Sequence, residues 1–356
     1  MPRRTVSLMT SLLAVLGALG ACAALAVAGA ADTLPAALTD GEFWALSQQL
    51  SEPNGAFVSR SGSPDNLLSN EMQVSTVAAE LSQQVPPSGV YLGVGPEQNF
   101  TYIAAIKPRI AFITDIRRGN LDVQLLYKAL FEMSATRGEF VARLFGRKAV
   151  TTLPRTATAA QIMAAYGDAA PVAEATFAGE LKTVLDLLAG THHFALTADD
   201  RVEIEHAYRA YYRFGPAINY TSSVNGRSWR FATYADLMAS VDARSGKERT
   251  FLANDDNFAV VKAMESKNLI VPVVGNFAGP KALRAIGGWV KARGASVNVF
   301  YVSNVEQYLQ QSGVWPAFCA NVAALPLTPS SIFVRPSRGG SSFSPMASET
   351  AACAGK

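Results

Sequence analysis

Apolar and polar positions along this chain follow two rhythms. From Val90 to Arg117 the sequence VYLGVGPEQNFTYIAAIKPRIAFITDIR runs as an apolar stretch, a glycine turn, a helical stretch and a second apolar stretch closed by Asp115. That order predicts strand, helix and strand, with both strands buried on two faces. The rhythm returns late in the chain. Thr250 to Ala253 predicts a short strand ending at Asn254-Asp255-Asp256, and Phe258 to Met264 a helix. Leu269 to Val274 predicts a buried strand, with a bulged ladder at Pro272. Gly275-Asn276-Phe277 reads as its turn, and Pro280 to Arg293 as a helix with proline in its first turn. Ser296 to Val302, ending at Ser303-Asn304, and Ser331 to Arg335 complete the strands. Between the two α/β parts the spacing is helical. Leu121, Leu125, Leu126 and Leu130 share one face, as do Phe177, Leu181, Val184, Leu185 and Leu188. A helix from Asp199 to Phe214 stops at Gly215-Pro216. The expectation is an α/β domain over residues 89–336 with a mostly parallel sheet. A helical insertion over about 119–230 would cap the ligand end of that sheet.

The flanks differ in texture. Residues 32–88 predict two helices, Leu38 to Leu50 and Asn70 to Gln83, around a loop rich in Ser, Pro, Gly and Asn. Asn70 and Glu71 lie close to the glycine turn in sequence. Residues 337–356 are rich in Ser, Gly and Ala and predict a disordered tail. At the other end, Arg3 and Arg4 precede a run without charge from Thr5 to Ala31, closed by small residues. Those are the parts of an export signal. Three variants of it stand open beside ordinary cleavage near Ala30. Arg3-Arg4 resembles a twin-arginine signal. Leu19-Gly20-Ala21-Cys22 resembles a lipoprotein box. The run is also long enough to stay as a membrane anchor. The expected location is therefore the periplasm, or the outer face of a membrane to which the N-terminus tethers the chain.

Composition narrows the function classes. Without Arg3 and Arg4 the 31 basic residues fall to 29, against 28 acidic ones. A nearly neutral chain argues against a nucleic-acid binder, which needs a basic stripe. With 49% apolar and 17% charged residues, the chain predicts a large buried core. Past Cys22 only Cys319 and Cys353 remain, and they stand either as a disulfide tying down the tail or as two free thiols.

The candidate chemistry centres on the glycine turn. Gly93 and Gly95 allow a sharp turn and close approach to a ligand, and the following helix aims its first amides there. Asp115 ends the second strand 22 residues after Gly93. Gln98 stands where a dinucleotide fingerprint would carry its third glycine. Gly93, Gly95 and Asp115 match the motifs of the class I S-adenosylmethionine-dependent methyltransferases, whose Rossmann-like fold the chain resembles. Tyr91 and Glu97 stand where that family carries an acidic residue and a glycine. The segments LSEPNGAF, DNLLSNE, IVPVVGNFAGPKAL and FYVSNVEQYL also resemble a family of uncharacterised exported bacterial proteins. The resemblance implies a Rossmann-like fold, S-adenosylmethionine as cofactor, a ribose contact at Asp115 and methyl transfer to an unnamed acceptor.

In such folds the strand C-termini bind the ligand. This gathers Gly93, Gly95, Glu97, Asn99, Asp115, Asn254, Asp255, Gly275 and Asn276 as cofactor-binding candidates, with Ser303 and Asn304 beside them. Helix capping is the competing reading for the Asn and Ser residues. Arg117 and Arg118 could meet an anion or belong to a solvated loop. Tyr208, Tyr211 and Tyr212 stack a ligand or pack the helical cap. Glu203 and His206 sit three apart on a helix without a second pair, so no metal site is expected. The alternative to a methyltransferase is a non-catalytic, ligand-binding or envelope-associated protein on a repurposed fold. The crevice separates the two: Tyr91 or Glu97 filling the space over Gly93 and Gly95 weakens the enzyme reading.

Overall fold

The computed structural model describes residues 32–57, 66–222, 230–337 and 340–354. The proposed export signal, residues 1–31, lies outside them. Six strands form one sheet: β1 Val90–Gly93, β2 Ile110–Asp115, β3 Ile270–Val274, β4 Val297–Tyr301, β5 Leu327–Ser337 and β6 Gly340–Pro345. Their order is β3-β2-β1-β4-β5-β6. All neighbours run parallel except β5 and β6. This is an α/β, Rossmann-like fold, and the order reverses between β1 and β4. The chain builds it because β1 to β3 are buried at every position and apolar throughout but for the Thr114-Asp115 end of β2. Such strands are stable only between two helical layers.

The layers follow from strand alternation. In β4, Tyr301 packs edge-on against Tyr102 of helix α3, Gln98–Ile106. Its neighbour Phe300 points the other way, to Phe318. Helix α1 is Asp40–Leu50 and α2 is Val74–Gln84. On the α3 side lies α4, Arg118–Met133, followed by the helical cap: α5 Arg137–Leu144, α6 Ala159–Asp168, α7 Glu174–Leu185, a π-helical turn Asp186–Thr191, α8 Ala198–Phe214 and the short α9 Tyr234–Met238. Helix α10, Asp255–Ser266, returns the chain to β3 and packs on α3 and α4. The cap is rooted by buried rings: Phe100 of α3 and Phe131 of α4 meet Phe140 of α5, Phe251 and Phe258. The opposite layer holds α11 Ala282–Lys291, α12 Val305–Gln311 and α13 Trp315–Ala323, and α14 Met346–Ala354 packs on α13. The β3–α11 turn is close-packed: a Cβ on Gly275 would stand 2.2 Å from that of Ala282.

Three expectations are corrected. Thr250 to Ala253 is a buried turn, not a strand. Phe251 and Leu252 are fully buried because they plug the cap, so an apolar run here marks packing and not a ladder. Pro272 causes no register shift, since β3 is an edge strand and can spare a donor on its outer side. The tail is folded over residues 340–354. Strand β6 pairs with β5 through Phe333–Ser344 and Val334–Phe343. Arg335 of β5 then clamps Glu306 and Glu349 of α14, and Met346 is fully buried. No helix among the described residues is long and apolar enough to cross a membrane.

Candidate functional site

A cleft of about 320 Å³ opens at the C-terminal ends of β1 to β4, around the point where the strand order reverses. That is the usual binding place of open parallel sheets, because the outgoing loops diverge there. Gly95 and Gln98 supply the floor beside β1, and Thr114, Asp115 and Arg117 the end of β2. Gly275 and Asn276 come from β3, Ser303 and Asn304 from β4, and Ser69 to Glu71 from the segment before α2. Phe57, Tyr308 and Leu309 form an apolar wall, with Phe57 edge-on to Tyr308 at 4.7 Å.

The glycine turn is filled from within. Tyr91 donates its hydroxyl to Asn99 Oδ1 at 2.7 Å. A Cβ on Gly93 would lie 2.0 Å from that same Oδ1 and 2.9 Å from the Tyr91 hydroxyl. The Asn99 amide reaches back to the carbonyls of Val94, Gly95 and Pro96, at 3.0, 3.2 and 2.8 Å. Asn99 therefore holds the turn in shape and is fully buried, and Gly93 faces side chains, not the cleft. Gly95 stays open. Its φ of +80° needs glycine, and only ordinary contacts with Gln98 and Asn66 would meet a Cβ there. Glu97 is also fully buried and points away to accept the Ser69 amide at 3.1 Å. Burial pushes its carboxyl up to about 8, and the neighbouring Glu71 charge adds to the shift.

The expected site residues thus divide. Gly95, Asp115, Gly275 and Asn276 line the cleft, whereas Gly93, Glu97 and Asn99 support it from behind. Asn254 and Asp255 are elsewhere. Asn254 caps α10 by accepting the Asn257 amide, and Asp255 binds Arg137 at 2.7 Å and Arg155 at 3.3 Å. Asp255 borders a second cavity, of about 480 Å³, between the cap helices and remote from the sheet's glycine turn. Asp115 is itself engaged: its Oδ1 accepts the Arg117 amide at 3.0 Å and the Arg117 Nε at 3.3 Å. Arg118 instead forks onto Asp200 of α8. The three cap tyrosines serve packing, with hydroxyls donated to the carbonyls of Arg143, Leu67 and Val172.

Glu71 is the strongest chemical feature of the cleft. It joins two distant pieces of chain, for Ser303 donates to its Oε1 at 2.5 Å. Ser303 holds a φ of +50°, uncommon for a side-chain-bearing residue and frequent at functional sites. Burial pushes the Glu71 carboxyl up to about 7, against the lowering effect of hydrogen bonds from Ser303 and Tyr301. Its Oε2 is buried without a hydrogen-bond partner, as are Oε1 of Gln98 and Oγ1 of Thr114, two further residues of the cleft lining. Gln98 and Thr114 were not among the expected residues. Gln98 was visible only as a missing glycine, and Thr114 only as the residue before Asp115.

A histidine and a cysteine outside the cleft are also engaged. His192 sits between Asp40 Oδ2 at 2.9 Å and Glu132 Oε2 at 2.7 Å, which raises its pKa and lowers those of both carboxyls. Cys319 is disulfide-bonded, while the side chain of Cys353 lies outside the described residues. No group of three or more His, Cys, Asp or Glu among the described residues is arranged to hold a metal.

Residues 67–353 match a protein family described as a domain of unknown function, DUF7790. No curated protein matches the chain.

Proposed function

The chain belongs to this DUF7790 family, and from its geometry we propose that it binds a small organic ligand in the cleft between β1 and β4. The observation that carries this reading is the place of the cleft: about 320 Å³ at the C-terminal ends of β1 to β4, where the strand order reverses, with Gly95 open to it and Phe57, Tyr308 and Leu309 as an apolar wall. The perturbed Glu71 carboxyl points the same way. A protein-observed NMR screen with fragments of mixed charge tests the reading. Hits should shift the signals of Thr114, Val305 and Leu309 and vanish in the cleft-filling variant Val305→Trp. Hits that map only elsewhere, or survive in that variant, overturn it.

A second reading, S-adenosylmethionine-dependent methyl transfer, is favoured by Asp115 and Gly95 at the ends of their strands. It is weakened by the Tyr91–Asn99 pair, which occupies the space over Gly93 that the methionine part would need. Calorimetric titration with S-adenosylmethionine and S-adenosylhomocysteine, beside Asp115→Ala, decides it. Micromolar binding lost in the variant supports transfer. Folded protein without heat for either ligand ends it. Export through residues 1–31, as cleaved signal, lipoprotein or anchor, is part of the same proposal. N-terminal sequencing of protein recovered from the cell envelope tests it.

A further inference from the structure

We propose that Ser303 and Glu71 form a catalytic pair in this cleft, Ser303 as nucleophile and Glu71 as its base, for the hydrolysis of small apolar esters. This rests on the binding reading above and adds a reaction class.

The geometry of the pair comes first. Ser303 Oγ donates to Glu71 Oε1 at 2.5 Å, which is the direction and the reach that a base needs to draw off a hydroxyl proton. Both residues are half-buried and line the cleft. The carboxyl is turned inward, with Oε2 shut off from solvent. That suits a base, which must reach the hydroxyl it serves and not the bulk water.

The backbone comes second. Ser303 follows β4 and stands two residues before α12, at a φ of +50°. A strained residue at a sharp strand-to-helix turn is how a nucleophile elbow presents its serine. The likeness is one of position and strain, since Tyr301 and Val305 stand where that motif carries glycine. In such a turn the amide after the nucleophile steadies the oxyanion, and the Asn304 amide has no acceptor among the described residues. Electrostatics comes third. The titratable groups facing Glu71 are Tyr301 of β4, Tyr91 of β1, Tyr102 of α3 and Glu97 just before α3. They supply no positive charge, and burial pushes the Glu71 carboxyl up to about 7. A base works best with its pKa near the working pH.

The reaction balances with water alone. Ser303 Oγ bonds to the ester carbonyl carbon while its proton moves to Glu71 Oε1. The bond to the alcohol oxygen breaks, and that oxygen leaves with the proton. Water then attacks the acyl group on Ser303 and gives a proton to Glu71. The acid departs, and the proton returns to Ser303 Oγ. Phe57, Tyr308 and Leu309 offer the ester an apolar surface, the last two from the helix that Ser303 leads into. A cleft of about 320 Å³ admits a short acyl chain or a single ring.

Full-length protein is treated with a fluorophosphonate, which phosphonylates activated serines with loss of fluoride, and the adduct is mapped by mass spectrometry. Hydrolysis of 4-nitrophenyl butyrate is followed in parallel. The label should sit on Ser303, and hydrolysis should rise with pH through about 7. Ser303→Gly should abolish both in a protein that still folds, because glycine accepts the positive φ. Glu71→Gln still accepts from Ser303, so its melting temperature should hold. Its hydrolysis should fall about 10²–10⁴-fold and lose the rise with pH. An unlabelled Ser303 in folded protein, or hydrolysis unchanged in Ser303→Gly, overturns the proposal. If that happens while the fragment screen still places hits in the cleft, the reaction is wrong and the binding reading stands. If no fragment reaches the cleft either, both fall.

Discussion

Glu97 offers a direct test of how this fold handles buried carboxyls. The side chain is fully buried, it accepts the Ser69 amide, and burial lifts its pKa from 4.5 to about 8. The sign follows from proton counting. Below pH 4.5 folded and unfolded chains both hold the proton, and the contribution of this group to stability is fully present. Between 4.5 and about 8 the unfolded chain has released its proton while the folded chain keeps it. Stability therefore falls with rising pH by roughly 1.4 kcal/mol per unit, or on the order of 5 kcal/mol over the whole window. Glu97→Gln cannot ionise, yet its Oε1 can still accept the Ser69 amide. Urea denaturation followed by tryptophan fluorescence, repeated across that window, should show the variant gaining on the wild type as pH rises. At pH 7 the relative gain over acid conditions should reach about 3 kcal/mol. Parallel stability curves for the two proteins would refute the reasoning, because they would mean that Glu97 ionises as freely in the fold as outside it.

Three further outcomes are expected. His192, held between Asp40 and Glu132, has a raised pKa, so its contribution is complete below the unfolded value of 6.5 and is lost as pH rises through the folded one. His192→Gln should thus cost about 1–3 kcal/mol in acid and less in alkali, read by the same denaturation series. Gly93→Ala drives a Cβ to 2.0 Å from Asn99 Oδ1 and should cost about 2 kcal/mol or more, seen as a lowered melting temperature. Asp200→Ala strands Arg118 and removes half of the capping box of α8, the 2.8 Å bond from the Thr197 amide to the Asp200 carboxylate, while the 3.1 Å bond from the residue-200 amide to the Thr197 hydroxyl stays. A loss of about 3–5 kcal/mol is expected by thermal or urea unfolding.

The strands were legible where burial alone decides them. VYLG, IAFITD and IVPVV are apolar at nearly every position, and a two-face-buried strand needs nothing more specific. Phe251 and Leu252 carry the same signal with a different cause, since a residue plugging a helical cap is as buried as one in a ladder. The tail misled in the opposite way. Strand β6 is mostly small and polar, and it forms through backbone pairing with β5 and through Arg335, which lies in a different segment. In the site, Gly95 and Asp115 were legible because the turn and the strand end are local. Asn254 and Asp255 were not, because their assignment leaned on a strand that the fold does not contain. Glu71 stood out only by its nearness to the turn. Its partner Ser303 is 232 residues away, a distance no local pattern spans.

The first folded segment, residues 32–57, has a consequence for the order in which the molecule assembles. Ser47 donates to Pro272 O at 2.6 Å, the Glu52 amide to Val274 O at 2.8 Å, and Ser51 Oγ accepts the Val274 amide at 2.9 Å. The Glu52 carboxylate then accepts the amides of Asn276, Lys281 and Ala282 where α11 begins. This segment seals the open edge of β3 and lies wholly before the family match, which starts at residue 67. During synthesis it emerges before its partners in β3 and α11, which follow some 230 residues later. A chain clipped to the family boundaries would expose a bare apolar strand edge and invite pairing between copies. The unit that folds is therefore larger than the span of the family match.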